Sequence, residues 1–138
     1  MVVIHLFLVL EWLRVGGASP EAEATAQALV DAFVADIDDS LRELGTGDVG
    51  VHRRVKRAAA GFYARAKDYR EAIAAGGSAL EGMLARHLEA PEGEAASVSA
   101  LAGYVRAATV TLGAESVADV LEGRPSFPDP SIAVKSAP

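Results

Sequence analysis

Residues 36–69 constrain the fold more than any other stretch, because two amphipathic patterns meet there across a glycine-rich corner. Before the corner Leu29, Phe33, Ile37, Leu41 and Leu44 recur at steps of three and four. After it Val51, Val55, Ala58, Phe62, Ala66, Tyr69 and Ile73 do the same. Such steps put apolar side chains on one face of a helix. Within the corner, Gly45 suits the left-handed conformation that ends a helix, and Asp48 suits the cap of the next one. The pattern predicts an antiparallel hairpin of helices over 22–44 and 51–75 at the centre of the molecule. Phe33, Leu41, Val55 and Phe62, with Leu101 from a later helix, are its expected buried residues.

Charge divides this hairpin. Its first helix carries Asp31, Asp36, Asp38, Asp39 and Glu43, with Asp38 and Arg42 spaced for an ion pair one turn apart. The second opens with His52, Arg53, Arg54, Lys56 and Arg57 and adds Arg65, Lys67 and Arg70. Seven of the thirteen Lys and Arg residues thus lie within 53–70 of a chain whose net charge is −6. At about 100° per residue, Arg53, Lys56, Arg57 and Lys67 fall opposite Val55, Phe62 and Ile73, so the basic face is expected to point away from the core. An acidic chain argues against general nucleic-acid binding. A basic patch on such a chain suits a specific partner or an anionic surface.

The rest of the chain reads as helices separated by breakers. Residues 1–15 are almost entirely apolar, yet too few to span a bilayer, which takes about 20. A cleaved leader is the competing reading. The missing basic start and the placement of Glu11 and Arg14 tell against it, and the pattern predicts a buried first helix. Ser19-Pro20, with Glu21 and Glu23 close behind, marks a helix start after the 16–20 linker. Gly76-Gly77 ends the basic helix, Ser78 is placed to cap a fourth, and Pro91-Glu92-Gly93 breaks that. Val98, Leu101, Val105, Ala108 and Leu112 form the stripe of a fifth, and a short helical turn follows over 116–121. Three prolines then exclude helix, and Phe127 is the residue that could anchor this segment. No strand pattern appears. The fold class is all-α: one domain over 1–125, a bundle of five or six helices, followed by an irregular tail over 126–138.

Catalytic chemistry needs convergent polar groups, and the pattern offers none. The three histidines, His5, His52 and His87, are scattered. The chain has no cysteine, which excludes disulfides and thiolate sites. Gly45, Gly47 and Gly50 match a dinucleotide fingerprint, but they join two helices and follow no strand. The reading is therefore of a non-enzyme without cofactor or metal. The acidic residues of the first hairpin helix read as a solvated face. Crowded like charge makes Arg53, Arg54, Lys56 and Arg57 the candidate partner-binding residues. Tyr63 points off the apolar stripe, which leaves it either a groove lining or an ordinary surface residue.

The same stretch resembles the ubiquinol–cytochrome c chaperone family. Asp38, Ser40, Leu41, Arg42, Glu43, Gly45, Gly47, Asp48, Arg54, Val55, Lys56, Phe62, Tyr63 and Arg65 fit the family's D-x-S-L-R-E-M-G-V-G-D, K-R-V-K and F-Y-G-R segments. Leu44 stands for the usual Met, Arg53-Arg54 for Lys-Arg, and Ala64 for Gly. The resemblance runs over about 3–129 and adds Tyr63 and Arg65 to the candidate partner-binding set. It implies a chaperone that binds newly made cytochrome b during assembly of the respiratory bc1 complex. It also implies a cytoplasmic location, peripheral contact with the inner membrane, and the ribosome or a small partner protein as further contacts. Matched to the family pattern, the chain starts at about a methionine inside the domain. That implies an absent first helical portion and an uncovered side of the first helix, at Val2, Ile4, Leu6, Phe7 and Leu10, open to a homodimer. The other reading of the residues is a helical interaction or membrane-surface adaptor without a cytochrome b client.

Overall fold

The computed structural model describes residues 2–16, 19–45, 47–91 and 93–131, with backbone alone at Asp48 and Val49. Among the described residues six helices follow one another and no strand occurs: α1 Val2–Gly16, α2 Pro20–Glu43, α3 Asp48–Ala75, α4 Ala79–His87, α5 Ala95–Gly113 and α6 Val117–Leu121. Gly17, Ala18, Thr46 and Glu92, expected in linkers and corners, lie outside the described residues, as does the end of the tail from 132.

The start of α2 follows local chemistry. Ser19 Oγ accepts the Ala22 N–H at 3.1 Å, Pro20 takes the first helical position, and Glu21 and Glu23 sit in the positive first turn. Gly45 ends the helix at φ +77°, where its N–H donates to the Arg42 carbonyl at 2.9 Å. Three local expectations are corrected. Leu44, counted on the buried stripe, is the C-cap of α2 and 80% exposed. Asp48 is the first residue of α3, and the extended Gly47 holds the cap position. Ser78 stands before α4, but φ −90° and ψ 9° do not aim its hydroxyl, and it makes no capping bond.

The core lies to one side of the α2–α3 hairpin. Ile4, Phe7 and Leu8 of α1 pack with Tyr69 and Ala72 of α3, Leu80, Met83 and Leu84 of α4, and Val98, Val105 and Leu112 of α5. A smaller cluster of Leu13, Ala22 and Val120 joins α1, α2 and α6, and Trp12 packs against both. Ala22 is the buried residue of α2. The hairpin therefore forms as expected but is not the centre. Val51 and Phe62 are buried, whereas Phe33, Leu41, Val55 and Leu101 are only half-buried. The physical reason is that α4 and α5 pack with Tyr69 and Ala72 in the C-terminal half of α3, while its N-terminal half lies on α2, beside the Val3 end of α1.

The first helix is better covered than its composition suggested. Ile4, Phe7, Leu8 and Leu13 are buried, Leu6 and Leu10 are half-buried, and the large exposed residues are Val2 and Val15 at its ends. Phe127, in the segment after α6, sets its ring edge-to-face on His5 at 4.7 Å and packs against the core. His5 Nε2 lies 2.7 Å from the Tyr104 hydroxyl on α5. His87 bonds Asp68 at 2.8 Å, which ties α4 to α3. Arg106 on α5 donates to Glu81 and to the Gly77 carbonyl, and holds the start of α4 in place.

Candidate partner-binding trough

Because α4 and α5 do not reach the open half of the hairpin, a trough remains between it and α1. Phe62 stands at its middle. It is 6% exposed, with ring centroids 5.4 Å from Phe33 and 5.7 Å from Tyr63. On one side of Phe62 lies a cavity of about 460 Å³. Val3, Phe33, Ile37, Ala58 and Gly61 form its apolar surface, and Arg54, Arg57 and Arg65 edge it. The other side holds a cavity of about 250 Å³ between Phe7, Leu10, Val30 and Ala66, with Tyr63 among its lining residues. It adjoins a further hollow along α1 and α2 through Leu10, Arg14, Glu23 and Ala26, which line both.

The far end of the trough is an ionic clamp. Glu11 on α1 accepts hydrogen bonds from Arg14 on its own helix and from Arg70 on α3, the latter at 2.8 to 3.1 Å. Those bonds, Arg14's first and then Arg70's, hold its carboxyl at about 2, well below the usual range, against the opposing effect of partial burial. The clamp fixes α1 against α3 at the level where the trough meets the core.

The six residues expected to meet a partner divide into three groups. Arg54, Arg57 and Arg65 come together at the trough, Tyr63 lines its other half and is 58% exposed, and Arg53 and Lys56 lie exposed on the outer side of α3. Arg57, expected opposite Phe62, lines the same cavity as Phe62, since a long guanidinium side chain reaches around its helix. Among the described residues, Arg14, Arg42, Lys67, Arg70, Arg106 and Arg124 each have a carboxylate in ion-pair range. Arg53, Lys56, Arg57 and Arg65 pair with none of the described carboxylates. The Asp38–Arg42 pair forms as its spacing implied, at 2.7 Å. The Glu11–Arg70 clamp escaped the sequence reading, because nothing in a local pattern links residues so far apart.

No group of three His, Asp or Glu among the described residues is placed to hold a metal. Among the described residues, one helix, α5, is long and apolar enough to cross a membrane, by length and composition only, and a third of it is buried in the bundle.

The described residues thus form an all-α scaffold with an apolar trough edged by cations. The profile of the ubiquinol-cytochrome C chaperone family matches residues 1–127, and the chain belongs to that family. The crystal structure of the Cbp3 homolog from Brucella abortus is similar at a TM-score of 0.78 and 34% identity, covering 94% of this chain and 71% of that one. No curated protein sequence matches the chain. Membership in a chaperone family implies a non-enzymatic role.

Proposed function

We propose that this protein is a non-enzymatic assembly chaperone that binds newly made cytochrome b while the bc1 complex is built, and that its trough is the docking site. Family membership supplies the process. The observation that carries the docking site is the convergence of Arg54, Arg57 and Arg65 on an apolar floor of Val3, Phe33, Ile37 and Phe62. An unassembled membrane protein exposes apolar helices that need cover, and charged groups beside them set orientation and encounter rate. Cations crowded on one helix of an acidic chain repel one another, and an anionic partner relieves that repulsion. Arg53 and Lys56, on the outer side, leave a second charged surface for the ribosome or a small partner protein. The working location is the cytoplasm, in peripheral contact with the inner membrane.

The test is a deletion strain complemented with the wild type or with R54E/R57E/R65E. Cytochrome b is followed spectrally and by blot, and its co-purification with the tagged chaperone is measured. The wild type is expected to restore and capture cytochrome b, and the folded variant to do neither. A wild type that neither restores nor captures cytochrome b would return the chain to the class of helical adaptors without this client.

A further inference from the structure

The two ends of the trough differ in charge, and that difference has a direction. At one end stand Arg54, Arg57 and Arg65. At the other, the Glu11 carboxylate is already held by Arg14 and Arg70, and Glu23 of α2 contributes negative charge. Between the levels of Val3 and Arg14 on α1 the trough extends about 16 Å, which is about three turns of helix. Its floor is apolar, with Val3, Phe7 and Leu10 along one wall and Val30 and Phe33 along another.

We infer that the trough takes one amphipathic helix of about three turns, antiparallel to α1, with its C-terminal end among Arg54, Arg57 and Arg65. The inference rests on the chaperone reading and narrows it to a shape and an orientation. An extended peptide is disfavoured, because the described residues offer no sheet edge to pair its backbone, and unpaired backbone groups are costly over an apolar floor. A helix satisfies its own backbone and presents apolar anchors every three or four residues. Its dipole leaves roughly half a negative charge at the C-terminus and half a positive charge at the N-terminus. The C-terminal carbonyls, and carboxylates in the last turn, are thus drawn to the three guanidiniums. The N-terminus falls at the end where Glu23 lies. Charge sets the polarity, and the apolar floor supplies the affinity.

The absence of cysteine from the chain makes the test clean, since single introduced thiols report position. The probe is a synthetic peptide of about 14 residues with leucines at helical spacing and glutamates in its last turn, set against a twin with the glutamates in its first turn. The first peptide is expected to bind the full chain about tenfold more tightly by fluorescence anisotropy, the gap shrinking with salt. A cysteine at its C-terminus should form a disulfide with Ala58→Cys, at the arginine end, and not with Ala26→Cys. R54E/R57E/R65E should lose the binding, while R53E/K56E, outside the trough, should stay within about twofold. Circular dichroism checks that each variant is folded, and R53E/K56E carries the comparison if the triple variant is not.

Equal binding of the twins, the opposite crosslink, or no binding to wild type would overturn the inference. So would retention by phosphatidylglycerol vesicles in place of the peptide, since that assigns the arginines to a lipid headgroup. Rescue of cytochrome b without peptide binding removes this inference and leaves the chaperone reading standing. Peptide binding with the stated polarity in a chain that does not rescue does the reverse.

Discussion

Arg70 on α3 donates through Nε and Nη2 to the carboxylate of Glu11 on α1, at 3.0 and 2.8 Å, across 59 residues of sequence. This bond, with Arg14 on the other flank, joins the buried half of the molecule to the open half. The Glu11 carboxyl lies at about 2 against an ordinary 4.5. Its depressed value makes it a source of stability that is complete above about pH 4.5 and lost as pH falls toward 2. Partial exposure reduces the effect, so Glu11→Gln should cost about 1–2 kcal/mol at pH 7. Denaturant titrations of both proteins should converge as pH falls through that window. Parallel curves would show that the clamp carries no such linkage.

The position of the core sets an order of mutational costs. Leu84 is fully buried among α1, α3, α4 and α5, and Leu84→Ala should cost about 3–5 kcal/mol. Leu41 is half-buried on the open half of α2, and Leu41→Ala should cost only about 1 kcal/mol. Phe62→Ala falls between, at about 3 kcal/mol, because the open cavities beside it let neighbours and water relax into the space. Urea unfolding of the three variants checks the order. A Leu41 cost equal to that of Leu84 would return the hairpin to the centre of the core.

Two serines at helix starts should behave differently. Ser19→Ala removes a bond to the Ala22 N–H and should cost about 1 kcal/mol. Ser78→Ala removes no capping bond, and its effect should stay within about 0.5 kcal/mol. Thermal melts of the two variants separate these outcomes.

The outer and trough cations should be dispensable for folding. In R53E/R54E/K56E/R57E the four side chains are exposed, so helicity should be unchanged and each substitution should move stability by no more than about 0.5 kcal/mol. Four glutamates on an already acidic chain still repel one another, so what stability the variant loses at low salt should return as salt screens the repulsion. Loss of helicity would mean that the basic helix packs through a different face.

Much of the fold was legible because it is local. The three- and four-residue steps from Val51 to Ile73, the Ser19-Pro20 start and the Gly45 stop act within a turn or two of backbone, and each helix they announced is present. The all-α class followed from the same patterns, but the placement of charge on α3 did so only in part, since Arg57 lines the cavity beside Phe62. The roles of His5 and Phe127 were legible only as tendencies. A histidine in an apolar helix needs a polar partner, but Tyr104 lies 99 residues away.

What the amino-acid order by itself determined is therefore where helices start and stop, which face of each is apolar, and that seven of thirteen cations crowd onto one stretch of an acidic chain. Only the tertiary structure decided which apolar faces find partners. Phe33, Leu41 and Val55 carry the same periodic signal as Leu80, Met83 and Leu84, yet α4 and α5 reach only the C-terminal half of α3. Burial belongs to pairs of surfaces, and a periodic face records a need for cover without naming what supplies it. The trough is the remainder of that geometry: an apolar surface that α4 and α5 leave open, edged by Arg54, Arg57 and Arg65.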